Sequence, residues 1–285
     1  MSIYAANVRG QVSKCSAEFA RLNGLPFRRS HVDFGSGVFL PDWERMRHGN
    51  FHPASYRAIL RRSIWRNRLG KALTVSERFE RCDDDRRLCE LDSCCSSDAL
   101  LMNIFCHPVT RRAPRVVGIL GIPDVAVPIF GWRARVPLAD GKLDRTEVDM
   151  KFGSLLVEAK LTEASFESCS ITRMKSYIDF EQVFRLGDLP RSRGQYQCYQ
   201  LLRNVLAANA HKANFCLLTD ARRVDLIEAW YSVLAAIRPV NLRVRCKLLT
   251  WQELAETLPR SLRDFLGLKY GITSGVAASH PAMGY

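Results

Sequence analysis

Asp149 and Glu158 are two acids whose positions in the chain favour a shared cation. The apolar runs on either side of Gly153-Ser154 predict a hairpin with a tight turn, and its register places Asp149 opposite Glu158. Side chains alternate along a strand, so Lys160 emerges on the same face as Glu158. Two carboxylates about 5 Å apart repel by roughly 3 kcal/mol at an effective dielectric near 20. A divalent cation would remove that repulsion, and oxygen ligands beside one lysine suit Mg²⁺, with Mn²⁺ as a substitute.

The strands that would hold these acids are Val148–Phe152 and Leu155–Leu161. Glu147 precedes the first strand, and the same register places it opposite Lys160. That pair still leaves the cluster net negative, which favours a bound cation. The alternative is a surface salt-bridge network that needs no ion.

Asp149, followed by Glu158-Ala159-Lys160 on the next strand, resembles the signature of the PD-(D/E)XK nuclease superfamily. A wider run resembles the bacterial restriction endonuclease-like group of that superfamily; it extends from TEVDMKFGSLLVEAKLTE through YQLLRNVLAA to FCLLTDARR and LTWQELA. The resemblance covers about residues 90–272. One departure is that Val148 stands where the superfamily often has a proline.

The resemblance implies an α/β fold with a restriction-endonuclease-like core, in which a mixed central β-sheet is flanked by helices in the order αβββαβ. It implies that Asp149, Glu158 and the Ala159 carbonyl bind the metal ion. Lys160 would orient or deprotonate the attacking water and stabilise charge on the phosphate. A further acid would come from the helix before the sheet, where Glu90 and Asp98 are the candidates, and either can instead be a helix-end or surface acid.

A helix is expected from Gln195 to about Asn209, because apolar residues recur there at helical spacing. The resemblance implies that a glutamine of this helix reaches the site; Gln200 matches best, with Gln195 as a rival. Arg203 lies at the margin of the same polar face and is a candidate for substrate binding. The alternative for this face is a solvated polar stripe.

The stretch Tyr56–Lys71 has six basic residues and no acid, interleaved with apolar residues at a spacing that fits a one-sided helix. Such a helix can lie along phosphates, so Arg61, Arg62 and Arg66 are predicted to bind the substrate. Equally, this face can be solvated and paired with the acids at positions 77–85. The whole chain has 42 basic and 29 acidic residues, and this surplus of +13 favours polyanion partners.

The other predicted elements support a sheet covered by helices on both faces. Thr250 and Glu253 form a capping box that opens a helix. The strand 215–218 can lie parallel to the second hairpin strand, because a helix intervenes. The predicted segments are helices at 92–106 and 226–237, and strands at 129–136, 215–218 and 242–249.

Five of the ten cysteines cluster at positions 82–106. Reduced thiols in an oxidant-poor compartment are favoured over disulfides, since no leader segment directs the chain to export. A metal cluster is the alternative, but the five contain no Cys-x-x-Cys pair. We expect several of them to be small core residues.

Three segments are predicted: a basic N-terminal extension at 1–89, a nuclease-like core at 90–272 and a frayed tail at 273–285. No apolar run approaches the roughly 20 residues of a membrane helix, so we expect no membrane association and a cytoplasmic location. We expect a Mg²⁺-dependent endonuclease that hydrolyses DNA in restriction, repair or defence, as a monomer or a homodimer. The alternative is a non-catalytic nucleic-acid-binding protein on the same fold.

Overall fold

The computed structural model describes residues 2–30, 36–73, 87–122 and 126–273. In these ranges the chain forms twelve α-helices: α1 Ile3–Asn23, α2 Pro53–Arg61, α3 Ser63–Arg66, α4 Ser97–Phe105, α5 Pro114–Leu120, α6 Ile171–Lys175, α7 Phe180–Val183, α8 Tyr199–Ala210, α9 Val224–Ala236, α10 Val240–Arg243, α11 Trp251–Glu256 and α12 Arg260–Tyr270. Short 3-10 turns lie at Asn67–Gly70, Glu90–Asp92, Thr110–Arg112 and Leu186–Asp188.

The strands of the described ranges form one central sheet and several small ones. Their bounds are β1 Phe27–Arg29, β2 Gly37–Phe39, β3 Pro41–Asp42, β4 Arg47–His48, β5 Ile129–Arg133, β6 Val136–Pro137, β7 Leu143–Asp144, β8 Glu147–Phe152, β9 Leu155–Ala159, β10 Ser168–Ser170, β11 Arg191–Ser192, β12 Gln195–Gln197, β13 Asn214–Thr219 and β14 Cys246–Thr250.

The central sheet has five strands in the order β14-β13-β9-β8-β5. Strand β13 is parallel to β9 and β14, whereas β8 is antiparallel to β9 and β5. The crossover between β9 and β13 contains α8, because a parallel connection needs a long return path. The prediction of an α/β fold with a mixed central sheet is confirmed.

The central hairpin has the predicted register. Phe152 pairs with Leu155, and two steps outward Met150 pairs with Val157, after which the ladder ends. Gly153 has a φ of 59°, a left-handed conformation that glycine adopts without strain. Beyond Met150 the two strands are no longer paired. Asp149 and Glu158, the next residues outward, therefore lie beside a gap between the strands.

Two apolar layers cover the sheet. One layer packs α1, α4, α5, α11 and α12 on the face that carries Val157 and Cys216. The other packs α8 and α9 on the face that carries Leu156 and Leu217, with Trp230 fully buried. The predicted Thr250–Glu253 capping box is present at the start of α11. No helix of the described ranges combines the length and the apolar character needed to cross a membrane.

Several elements differ from the sequence prediction in their bounds. The helix predicted at 92–106 begins at Ser97, because Ser96 is its N-cap, and the strand predicted at 129–136 ends at Arg133. The crossover helix begins at Tyr199 because Gln195 and Gln197 lie in β12, and Cys198 turns the chain with a φ of 61°. The predicted strand 242–249 begins at Cys246, since the chain after Pro239 first forms the short helix α10. Proline fixes φ near the helical value and so favours such a start.

The basic stretch is two helices rather than one. Arg62 is extended, with φ −115° and ψ 117°, and it separates α2 from α3. Its basic residues therefore do not share one continuous helical face. The alternative partners at positions 77–85 lie outside the described residues.

Helix α1 was not predicted. Ser2 caps its first turn through a hydrogen bond from the Ala5 amide, and Gly24 ends it in the left-handed conformation. Phe19 packs edge-on against Phe265 of α12 at 5.4 Å between ring centroids. This N-terminal helix therefore shares an apolar layer with the central sheet, and a domain boundary at residue 89 stays a prediction.

Candidate active site

Asp149, Glu158 and Lys160 lie together where β8 and β9 separate. The Ala159 amide donates to Asp149 Oδ2 at 2.8 Å, which turns this carboxyl group into the gap between the strands. Lys160 Nζ lies 3.0 Å from Glu158 Oε1. Glu158 is 2% exposed and Lys160 6%, whereas Asp149 is partly accessible. The arrangement leaves Asp149 Oδ1 without a hydrogen-bond partner among the described residues.

Burial raises the pKa of Asp149 well above its usual value. The negative charges of Glu158 and Asp98 raise this pKa further, and Lys160 and the Ala159 amide offset only part of the shift. Ionised acids that are brought together in this way repel, and a cation beside them relieves the repulsion. The structure thus brings together the acids whose mutual repulsion the sequence predicted.

Lys160 remains an ammonium group in this site. Burial alone would lower the pKa of Lys160, but Glu158, Glu163 and Asp149 together raise it above the ordinary value for lysine. The Phe166 ring also lies 5.8 Å from Nζ. A lysine with a raised pKa holds its proton firmly and supplies a fixed positive charge.

Glu147 differs from its prediction. It was expected opposite Lys160, but its carboxylate accepts a 2.9 Å bond from Arg68 Nη1 instead. Arg68 Nη2 also donates to Asp98 Oδ2 at 2.7 Å, and Lys71 lies 3.4 Å from the same oxygen. Asp98 in the first turn of α4 is therefore the acid of the preceding helix that approaches Asp149, while Glu90 pairs with Lys71 at 2.6 Å.

Helix α8 brings an amide to the second acid. Asn204 Nδ2 donates to Glu158 Oε2 at 2.6 Å, and Asn204 Oδ1 accepts from Arg203 Nη2 at 3.1 Å. Arg203 Nη2 also donates to the Glu147 carbonyl at 2.8 Å. Arg203 is only 4% exposed, so its guanidinium group fixes Asn204 and the start of β8, and a direct contact with DNA would require these bonds to break.

Gln200 lies one helical turn before Asn204, on the same side of α8. Its backbone amide donates to the Phe166 carbonyl at 3.0 Å, which places it beside the ring that Lys160 contacts. Its side-chain Oε1 is buried and has no hydrogen-bond partner in the part of the chain that the structure describes. The rival Gln195 is in β12, where its Oε1 accepts from Ser168 at 2.8 Å.

The three arginines predicted to bind substrate are exposed, and none forms an ion pair with the described residues. Arg61 ends α2, Arg62 follows it, and Arg66 ends α3. Arg62 packs over the ring of Trp65 at 4.9 Å from the centroid. The same stretch thus divides its charges: Arg68 faces the acids, and these three face outward.

The described part of the chain contains no group of three or more acidic, histidine or cysteine side chains arranged to hold a metal ion. A metal in this site would need a main-chain ligand such as the predicted Ala159 carbonyl. Cys94, Cys95 and Cys106 are buried, which confirms that several cysteines of the cluster are core residues. Cys82 lies outside the described residues.

A sequence profile of a protein family matches residues 24–271, and its description is "Restriction Endonuclease associating with ARP". The match covers most of the chain, including the hairpin and α8, so the chain belongs to this restriction endonuclease-like family. Neither the curated proteins nor the solved structures gave a match. Membership in this family indicates a nuclease-related role.

Two contributors to the site were not predicted with these partners. Asn204 lies on the polar face that the sequence predicted for this helix, and its four-residue distance from Gln200 was a usable signal. Arg68 was counted with the phosphate-facing cations. Its partners Asp98 and Glu147 are 30 and 79 residues away in the chain, and no local pattern encodes such contacts.

Proposed function

We propose that this protein is a divalent-metal-dependent endonuclease that hydrolyses phosphodiester bonds of DNA on a PD-(D/E)XK-type core. The observation that carries the proposal is the placement of Asp149 and Glu158 at the open end of the hairpin, with Lys160 on Glu158. The order α4, β5, β8, β9, α8, β13 supports the αβββαβ core. Family membership supports DNA as the substrate.

The donor set fits Mg²⁺ or Mn²⁺. Asp149 retains an oxygen without a partner among the described residues, its carboxylate is destabilised by neighbouring acids, and hard oxygen ligands suit these ions. Asp149, Glu158 and the Ala159 carbonyl would hold the ion, with Asp98 as the nearest further acid. When bound, the ion supplies Lewis-acid polarisation of the phosphate oxygens.

Lys160 stabilises charge in this mechanism. Neighbouring acids raise the pKa of Lys160, and its Nζ lies 3.0 Å from Glu158 Oε1. Both roles expected from the sequence stay part of the proposal, and a positive charge fixed in this position supports stabilisation of the negative phosphate. A preorganised positive charge needs no rearrangement at the moment of bond cleavage.

The α8 side chains position and complete the site. Arg203 holds Asn204, and Asn204 holds Glu158 Oε2, so Arg203 is a positioning residue in this proposal. Gln200 has an unused amide oxygen near Phe166 and would orient water or accept from a substrate group. Exposed arginines of α2 and α3 would contact the DNA phosphates.

Plasmid nicking in the presence of Mn²⁺ tests this proposal, with wild type compared with Lys160→Met. This change keeps much of the stem that packs near Phe166 and removes the charge. Loss of one such group typically lowers the rate by about 10²–10³-fold. Lys142→Met is the matched control, because the Lys142 side chain is exposed and its Nζ pairs with the exposed Asp140.

Breaking the buried Lys160–Glu158 pair also destabilises the protein, so each variant needs a melting curve and a DNA-binding measurement in Ca²⁺. Folded Lys160→Met that binds DNA and cleaves it like wild type would contradict the proposal. DNA binding without cleavage by the wild type in either Mg²⁺ or Mn²⁺ would favour the non-catalytic binding protein.

A further inference from the structure

A concave pocket of about 280 Å³ lies on the basic stretch, away from the acids. Its charged lining consists of arginines from two parts of the chain: Arg57, Arg61 and Arg62 come from α2 and its end, and Arg111 comes from the 3-10 turn after α4. The remaining lining is Trp65, two alanines and Pro108, so no acid of the described residues lines the pocket. Such a pocket concentrates positive charge in a space of molecular size.

Two of the four guanidinium groups pack against the same indole ring. Arg62 and Arg111 lie 4.9 Å and 5.2 Å from the centroid of Trp65. Trp65 is 1% exposed, and its Nε1 donates to the Pro128 carbonyl at 2.9 Å. Packing against a fixed aromatic face restricts both arginines, so they lose less conformational entropy when they bind a ligand.

Their charges are not neutralised within the described structure. None of the four arginines forms an ion pair there, and Arg111 Nε is buried without a hydrogen-bond partner. Burial lowers the pKa of Arg111, and the positive charge of Arg62 lowers it further. An anion between Arg62 and Arg111 would relieve the repulsion of their positive charges and would accept hydrogen bonds from them.

We infer that this pocket binds one phosphate group of the DNA strand, engaged by Arg62 and Arg111 over Trp65. The inference rests on the proposed function for the identity of the ligand. The pocket is linked to the acid cluster through α3 and the 3-10 turn after it, because Arg68 of that turn bonds both Asp98 and Glu147.

Arg66 is not part of this pocket. It does not line the cavity, and its Nη1 lies 3.5 Å from the Leu60 carbonyl. The phosphate contact predicted for Arg66 from the sequence stays a prediction. The fourth arginine of the pocket is instead Arg111, which is 49 positions after Arg62 in the sequence.

The test is binding of a short labelled duplex to the full chain in Ca²⁺ over a range of KCl concentrations. Because one phosphate is lost, the Arg62→Gln/Arg111→Gln double variant should reduce the log–log salt slope by about 0.9 and weaken binding about tenfold at 0.1 M salt. Arg115→Gln is the control, an exposed arginine that does not line the pocket. Arg111→Lys keeps the charge but loses the planar fork, and should also weaken binding.

A double variant of two exposed arginines outside the pocket is the further comparison. If it lost as much DNA affinity as the pocket double variant, binding would depend on overall positive charge, and the inference would be overturned. The effect of inorganic phosphate on the melting temperature tests whether the ligand is free phosphate rather than a phosphate of DNA. If phosphate stabilises wild type but not Arg111→Gln, while DNA affinity is unchanged by the pocket variants, the site takes free phosphate and the DNA assignment fails. DNA binding in Ca²⁺ is measured without cleavage. This test therefore gives a result even if the protein proves not to be a nuclease.

Discussion

Asn204 donates a 2.6 Å hydrogen bond to Glu158 Oε2, and both side chains are buried. Lys160 lies 3.0 Å from the other oxygen, so both oxygens of this carboxylate have a fixed partner. Among the residues that the structure describes, Asp149 has in contrast one oxygen engaged, by the Ala159 amide. The two acids therefore differ in role: Glu158 is held in one orientation by the protein, and Asp149 is available to an incoming group.

Asn204→Ala should lower cleavage without abolishing DNA binding. The change leaves Glu158 Oε2 without its donor, and loss of such a supporting hydrogen bond typically lowers metal affinity or activity about 10–100-fold. It should also destabilise the protein by about 1–3 kcal/mol, since a buried acceptor is left unsatisfied. Nicking rates at saturating and subsaturating DNA, with denaturant unfolding, measure both effects.

Asn209→Ala is the matched control on the same helix, because Asn209 Nδ2 donates to Asp179 at 3.0 Å, away from the hairpin. It should alter stability without the fall in kcat. If both variants lowered kcat to the same extent, the bond between Asn204 and Glu158 would have no special part in catalysis.

Asp149→Asn should raise the melting temperature of the metal-free protein at pH 7–8. The folded-state pKa of Asp149 is raised, so the folded protein releases this proton less readily than the unfolded chain, and stability falls as pH rises through that pKa. A neutral amide removes this effect, and each kcal/mol gained should raise the midpoint by about 2–4 °C. The shift is measured by differential scanning fluorimetry.

The same variant should lose most of the stabilisation that Mg²⁺ or Mn²⁺ confers on wild type, because an ion that binds only the folded state stabilises it by mass action. Asp140→Asn is the control, since Asp140 is exposed and pairs with Lys142 at 2.9 Å. An equal metal-dependent shift in wild type and Asp149→Asn would place the ion elsewhere.

Lys269 should make stability rise with pH above neutrality. It is fully buried, with Nζ 3.4 Å from the Cys94 carbonyl and 3.4 Å from the Tyr270 ring centroid. Burial lowers its pKa to about 7 from 10.5, while hydrogen bonding with Cys95 lowers the pKa of Cys94 to about 6 from 9.0. In both cases the unfolded chain binds more protons, so unfolding free energy increases with pH through these windows.

Each such proton contributes at most about 1.4 kcal/mol per pH unit. Lys269→Met should therefore flatten the rise from about pH 7 upward and stabilise the protein most at the acidic end. Urea unfolding at a series of pH values measures this slope. A variant with the wild-type slope would mean that Lys269 keeps its ordinary pKa in the folded protein.

The central hairpin was predictable because its register depends on a local turn and on alternation along two adjacent strands. Met150 and Val157 pair as the apolar pattern requires. Helix α1 was harder to predict, because the residues it buries include Ala5, Ser16 and Ala20, which give little apolar signal. Its stability comes instead from α12, which lies more than two hundred residues later in the chain.

The residues of the site also differ in whether the sequence could locate them. Asp149, Glu158 and Lys160 could be located because the hairpin itself brings them together. Arg68 could not, since a basic side chain in a run of basic residues gives no indication that it will face two acids. The same limit applies to Arg111, whose place beside Arg62 depends on the packing of separate elements around Trp65.

The short path from Arg62 to Arg68 constrains how this protein can vary. Arg62 lines the arginine pocket, Arg68 bonds both Asp98 and Glu147, and the chain between them is α3 and a 3-10 turn. One added residue in a helix turns everything beyond it by about 100°. Side chains here can therefore change over evolutionary time, whereas an insertion or deletion would separate the pocket from the acids, and we expect related chains to keep the length of this segment fixed.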